Sequence, residues 1–331
     1  MTMEIALAIV LFIVGIVLIV KGGDYFVDAS SWIAEVSGVP KLIVGATVVS
    51  LATTLPEMLV SVMAAVQARN AESASMVEMS IGNAVGSVTA NIGLIMAISL
   101  LCMPSVIKRK DYLLKSILML LATGILVVGG FLGKITLPVS LLLIVIFLIF
   151  AVENVKSALT AMKGEGEQAE KKKDKPTKNE VLINLIKFVV GAVGIVVGAR
   201  LLVDNGSLLA AYAGVSERVI GVTLVAVGTS LPELVTTITA VVKKQSSLSL
   251  GNILGANIMD LTLILPLSAL VSGQALPVSA AAARVDLPAC LLVGIIAVVP
   301  ALIASKFKRY QGVALLAVYV CYIGMTCFLV K

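Results

Sequence analysis

Two glutamates stand where carboxylates are costly. Residues 45–57 read GATVVSLATTLPE and residues 221–233 read GVTLVAVGTSLPE, so Glu57 and Glu233 each close a nearly identical apolar run. Glu233 lies 176 residues after Glu57, and seven of the thirteen positions are the same. An ionisable side chain inside an apolar span marks a functional site by default. With helical spacing, Thr53, Glu57 and Ser61 share one face, and Thr229, Glu233 and Thr237 repeat it. Pro56 and Pro232 each delete a backbone donor, which frees carbonyls near Ala52 and Thr53 and near Gly228 and Thr229. In hydrocarbon those carbonyls must be met by protein, water or an ion. Hydroxyls, carbonyls and a carboxylate together make an oxygen-only cation site. For either threonine alone a plainer reading stands beside this one, a hydroxyl bonded back to its own helix.

A second doubled block follows. GNAVGSVTAN (82–91) aligns with GNILGANIMD (251–260) at an offset of 169. Asn83, Ser87 and Asn91 form one polar stripe, and Asn252, Ala256 and Asp260 form its partner. Asp260 is a third intramembrane acid. Gly82 and Gly86, with Gly251 and Gly255, read as small residues that let helices approach closely. Asp24, Asp28 and Asp204 fall near expected helix ends, where interfacial or paired charges explain them; Arg200 lies one turn before Asp204.

The elements that position these residues follow from composition. The chain of 331 residues is 59% hydrophobic and 13% charged, with mean hydropathy +1.09, which places it among polytopic membrane proteins. Ten apolar spans are expected near 4–29, 40–67, 76–101, 112–130, 135–155, 181–211, 216–242, 247–272, 286–304 and 310–330. The first, with its acidic flank at Glu4, does not read as a cleaved leader. The fold expected is an all-α membrane protein with ten transmembrane helices in two five-helix repeats, 1–160 and 181–331, joined by a charged linker at 161–180. Because five is odd, the second repeat must enter from the opposite side, so the repeats are inverted, as in secondary transporters.

Basic residues cluster in the loops after odd-numbered spans: Lys41, Lys108, Arg109, Lys110 and Lys115, the lysines between Lys156 and Lys178, Lys243 and Lys244, and Lys306, Lys308 and Arg309. The other side has Arg69, Lys134, Arg218, Arg284 and Lys331. This bias puts both termini outside and the linker in the cytoplasm. It also accounts for the net charge of +6 without any nucleic-acid partner.

Chemistry is narrowed further by what is missing. The chain has no histidine, so imidazole metal sites and histidine acid–base catalysis are excluded. The four cysteines lie in or beside apolar spans and read as packing residues. Oxygen ligands favour hard cations, and two facing carboxylates suit calcium better than magnesium, which keeps its waters. Glu57, Glu233 and Asp260 could be neutralised by several monovalent ions, or by one calcium with a proton. The absence of a P-loop means that a gradient supplies the energy.

The paired TLPE and SLPE blocks, each followed by GNxxG and then Asn or Asp, resemble the two alpha repeats of the sodium/calcium exchanger family within the cation/calcium antiporter superfamily, in its prokaryotic form. The resemblance covers nearly the whole chain. It implies alternating access, with long first and sixth helices sliding against a core containing helices 2, 3, 7 and 8. It also implies that Glu57, Glu233, Thr53 and Thr229 bind calcium. Sodium sites would add Thr54, Ser230, Ser87, Asn91, Asp260 and the backbone carbonyls of Ser50 and Ala226. Three departures stand out: Ala52 where the family usually has Gly, Ala256 where it has Ser, and GSV at 86–88 where it has GSN. Asp260 is similar to the potassium-dependent branch, although Asp also occurs there in prokaryotic members.

The expected function is therefore calcium-for-sodium antiport by a monomer in the plasma (inner) membrane. Calcium and sodium ions are its partners along with the lipid bilayer, and no cofactor is needed. Calcium/proton antiport and potassium-dependent sodium/calcium exchange are the alternatives. An intramembrane protease fits poorly: the serine type lacks its histidine, and the aspartyl type needs two facing aspartates. A passive channel would show flux without strict dependence on a counter-ion.

Overall fold

The computed structural model describes residues 2–71, 74–104, 109–166, 176–214 and 228–329, and nearly all of them are helical. Helix α1 runs Thr2–Ser37. Helix α2 joins an α-helical start, Lys41–Val44, through a π-helical turn at Gly45–Val49 to Ser50–Ala71. Helix α3 is Ala74–Ala90, a π turn at Asn91–Met96 and Ala97–Cys102. Helices α4, α5, α6 and α7 are Arg109–Phe131, Leu137–Gly166, Lys178–Tyr212 and Leu231–Val242. Helix α8 is Ser246–Met259, a π turn at Asp260–Ile264 and Leu265–Ser272. Helix α9 is a π turn at Ala282–Asp286 and Leu287–Ala304, and α10 is Arg309–Leu329. Among the described residues, eight helices are long and apolar enough to cross a membrane.

The chain forms two compact units, each drawing on both halves of the sequence: Met1–Thr53 with Glu153–Asn252, and Thr54–Val152 with Ile253–Lys331. The division falls inside α2 and inside α8.

In the first unit α1 and α6 are the long members, with 36 and 35 residues. At 1.5 Å per residue each is over 50 Å long, well beyond a hydrocarbon core of about 30 Å. Helix α1 outruns the expected span of 4–29 because Asp24 and Asp28 do not end it. Lys243 Nζ reaches Asp28 Oδ1 at 2.8 Å and Asp24 Oδ1 at 3.1 Å, so both acids are neutralised within the helix. Helix α6 starts where it does because Thr177 and Glu180 form a reciprocal cap: Glu180 N donates to Thr177 Oγ1 and Thr177 N to Glu180 Oε2.

The two long helices cross backbone to backbone. A β-carbon on Gly15 would sit 2.9 Å from the Gly198 carbonyl oxygen, and one on Gly22 would sit 2.9 Å from that of Gly191. Numbers rise along α1 as they fall along α6, so the helices are antiparallel. Phe26 and Phe188 stack beside the crossing with ring centroids 4.7 Å apart. Phe26, Val27, Val44, Val49, Ile195, Ala240 and Leu248 form the buried core there. Large apolar side chains along the outer faces, such as Leu7, Ile13 and Val17 of α1 and Leu182, Ile186 and Val193 of α6, are exposed and suit lipid.

In the second unit, Lys134–Ile135 (β1) pairs antiparallel with Leu276–Pro277 (β2). Pro300 inside α9 cannot donate to the Ile296 carbonyl. Buried Gln311 of α10 supplies the missing donor: its Nε2 donates to the carbonyls of Ile296 at 3.2 Å and Ala297 at 3.3 Å.

Candidate cation site

In the first unit, Ser50 and Thr53 are buried on α2. Thr53 Oγ1 donates back to the Ser50 carbonyl at 3.2 Å, so the helix-bonded reading of this threonine is realised. The same Oγ1 lies 3.2 Å from Oδ1 of Asn252 on α8. One hydroxyl hydrogen cannot serve both acceptors, and Asn252 Nδ2 has no partner among the described residues. Turning the Asn252 amide over resolves both faults: Nδ2 donates to Thr53, and the amide oxygen becomes the open acceptor. Close backbone approach holds α2 and α8 in this register. A β-carbon on Gly45 would overlap the Leu248 carbonyl, and one on Gly251 would overlap the Leu42 carbonyl. Gly82 and Gly86 mark no such approach, since among the described residues a β-carbon on either meets nothing within 4 Å.

Glu233 in the same unit is 0% exposed. It lies in the first turn of α7, with Pro232 beside it and Ser230 as the residue before the helix. Ser230 is buried and Thr229 half-buried. Helix α7 begins at Leu231, so Glu233 lies in its first turn, where the helix dipole favours negative charge. The matching Glu57 lies inside a continuous helix that carries Pro56 in its interior. Two near-identical sequences therefore adopt different local backbones. Ala226, with the rest of 215–227, lies outside the described residues.

In the second unit, Thr54, Glu57 and Ser61 are buried on α2. The stripe on α3 meets them as a ladder. Ser87 Oγ donates to Glu57 Oε1 at 2.7 Å, and one turn away Asn83 Nδ2 donates to Ser61 Oγ at 3.0 Å. Both helices keep polar positions four residues apart, so the rungs align.

Asn91 and Asp260, equivalent in the two blocks, each open a π-helical turn. Such turns widen a helix by one residue and re-aim side chains, often at functional sites. Both residues are 0% exposed. Asn91 Nδ2 donates to Asn257 Oδ1 at 3.1 Å, while Asn91 Oδ1 has no partner among the described residues. Asn257, a buried residue of α8, was not singled out in the sequence. It aligns with Val88, and its signals are a polar residue in an apolar run and the Asn of the GSN pattern, which GAN at 255–257 keeps and GSV at 86–88 lacks.

Among the described residues, no three His, Cys, Asp or Glu side chains group so as to hold a metal ion. Outside the spans, Lys243 has its pKa set by opposing causes. Partial burial pulls it down, but hydrogen bonds and charge from Asp28 and Asp24 outweigh this and raise it.

Comparison with known proteins agrees with this architecture. The family described as "Sodium/calcium exchanger protein" matches residues 7–155 and 183–328. The sodium/calcium exchanger MaX1 of Methanosarcina acetivorans is 30% identical over 95% of this chain and 96% of its own. The inner membrane protein YrbG of Escherichia coli is 34% identical over 80% of each. The solved structure of the sodium-calcium exchanger NCX_Mj superposes with a TM-score of 0.79 at 29% identity, covering 97% of this chain and 99% of that one. With a multi-pass helical fold, a family match over most of its length and relatives similar from end to end, the chain belongs to the sodium/calcium exchanger family of membrane antiporters.

Proposed function

We propose that this protein exchanges calcium for sodium by alternating access. Glu57 and Glu233 carry the calcium charge, helped by Thr53 and Thr229. Sodium ions use Thr54, Ser230, Ser87, Asn91, Asp260 and the carbonyls of Ser50 and Ala226. The observation that carries this reading is the burial of Glu57, Glu233 and Asp260, with the Ser87 hydroxyl on Glu57, in a chain with no histidine. Similarity to NCX_Mj, described as undergoing extracellular ion exchange and binding-site occlusion in sodium and strontium, supports it. Sodium and calcium fit one oxygen site because both are hard cations of similar size.

The account takes ten spans in two inverted repeats, 1–160 and 181–331, with 161–180 as a cytoplasmic linker, both termini outside, and a monomer in the plasma (inner) membrane. Two features support it. Strand pairing puts the loops at Lys134–Ile135 and Leu276–Pro277 on one side, so an even number of spans separates them. Helices α5, α6 and α8 are three, and the account takes the fourth to include α7, a shorter apolar helix. Gly15 and Gly22 of α1 are also equivalent to Gly191 and Gly198 of α6 at the same offset of 176. Their reciprocal antiparallel contact is what an axis in the membrane plane produces.

The test is radioactive calcium flux in proteoliposomes at clamped voltage, driven by a sodium gradient or a pH gradient, with and without potassium. Sodium-driven uptake independent of potassium is expected. Uptake driven by the pH gradient alone would replace sodium with protons, and strict potassium dependence would place the chain in the other branch.

A further inference from the structure

Asn91 is an ambiguous ligand in isolation. Its amide presents an oxygen on one side and two N–H donors on the other, and only the oxygen can face a cation. Something must choose the side. In the second unit the choice is made by a short relay of buried groups. Met119 Sδ of α4 lies 3.9 Å from Asn257 Nδ2, and Asn257 Oδ1 accepts from Asn91 Nδ2 at 3.1 Å.

A thioether sulfur accepts hydrogen bonds and cannot donate them. Turning the Asn257 amide over would set its carbonyl oxygen against the sulfur, two acceptors in a dry interior, and would leave Nδ2 facing Asn91. Asn91 would then have to turn as well and present N–H groups at the position its oxygen now holds. Methionine fixes Asn257, Asn257 fixes Asn91, and the one group left over is Asn91 Oδ1, buried and unpartnered among the described residues. An unpartnered carbonyl oxygen in an interior costs free energy unless something positive meets it.

We infer that Asn257, backed by Met119, is a positioning residue that orients the Asn91 amide with its oxygen toward the transported cation. The inference rests on Asn91 being an ion ligand, as proposed above. It gives Asn257, which has only Val88 at its equivalent position, a role on one side of the doubled site.

The test is a double-mutant cycle on the full chain in proteoliposomes, reading the sodium concentration that half-activates calcium flux, with the unfolding midpoint of each variant as a control. Losing the partner that orients a metal ligand costs about 10-fold or more in affinity. Asn257→Leu is therefore expected to raise half-activating sodium about 10-fold, as Asn91→Leu does. Asn91→Asp carries an oxygen on both sides and needs no orienting, so adding Asn257→Leu to it should change half-activation by less than about twofold. If Asn257→Leu does not fold, Met119→Leu, a volume-conserving swap, enters the same cycle and is expected to shift sodium activation in the same direction, again cancelled by Asn91→Asp. An equal loss in the Asn91 and Asn91→Asp backgrounds would mean packing alone and overturn the inference. So would an unchanged Asn257→Leu beside an impaired Asn91→Leu, with the ligand role of Asn91 intact. An unchanged Asn91→Leu would instead remove Asn91 from the ligand set, and the inference with it.

Discussion

Ser87 Oγ donates to Glu57 Oε1 across 2.7 Å, joining α3 to α2 at a carboxylate that is 1% exposed. A hydrogen bond to a charged group contributes about 1.5–3 kcal/mol, so this one fixes the place of the carboxylate. Ser87→Ala is expected to raise the calcium concentration for half-maximal uptake by about tenfold, since about 1.4 kcal/mol corresponds to that factor. Unchanged uptake would mean that the hydroxyl serves packing alone.

The equivalent position in the second block is Ala256, buried and without a hydroxyl. Ala256→Ser restores the residue the family resemblance implies. We expect calcium flux to become more steeply dependent on sodium, read as a higher Hill coefficient, with the Ser87 half of the site unaltered. A Hill coefficient equal to that of the wild type would show that the missing hydroxyl does not set how many sodium ions are used.

The crossing of α1 and α6 leaves no room for a side chain at Gly191, where a β-carbon would lie 2.6 Å from Phe26 N and 2.8 Å from the Gly22 carbonyl oxygen. Overfilling a tight contact costs about 1–3 kcal/mol. Gly191→Ala is expected to lower the unfolding midpoint in detergent, and Gly191→Leu to abolish flux. Gly214→Ala is a different case: a β-carbon there meets nothing among the described residues, and strain comes from its φ of +82°.

Lys243 bridges Asp24 and Asp28 from a partly exposed position. Its folded pKa is raised, so on the alkaline side the lysine's contribution is full up to 10.5 and is lost only as pH climbs past the raised value. Lys243→Gln should therefore lower stability by less than about 1 kcal/mol at neutral pH. The difference from wild type should vanish in strongly alkaline buffer, as followed by unfolding midpoints across pH.

Much of the site was legible because it was written twice. The TLPE and SLPE runs and their offsets pick out Glu57, Glu233, Asn91 and Asp260 as candidates with no structure at all, and all four are buried. What stayed hidden depends on backbone register and distant partners. Nothing in an apolar pattern distinguishes an α turn from the π turns that open at Asn91 and Asp260. The matched sequences also concealed that Glu57 lies well inside a helix while Glu233 lies in the first turn of one. Asp24 and Asp28 read as a helix end because Lys243, more than 200 residues away, is invisible to local spacing. Asn257 has only Val88 as its equivalent in the other half, so the repeat does not point to it.

The central claim is that two buried carboxylates hold the transported calcium. It is tested most directly by calcium binding to purified Glu57→Gln and Glu233→Gln proteins that retain the wild-type unfolding midpoint, measured by calorimetry in the absence of sodium. The account predicts that each substitution alone abolishes measurable calcium binding, and that added sodium displaces calcium from the wild type. Calcium binding of wild-type strength in either variant would contradict it.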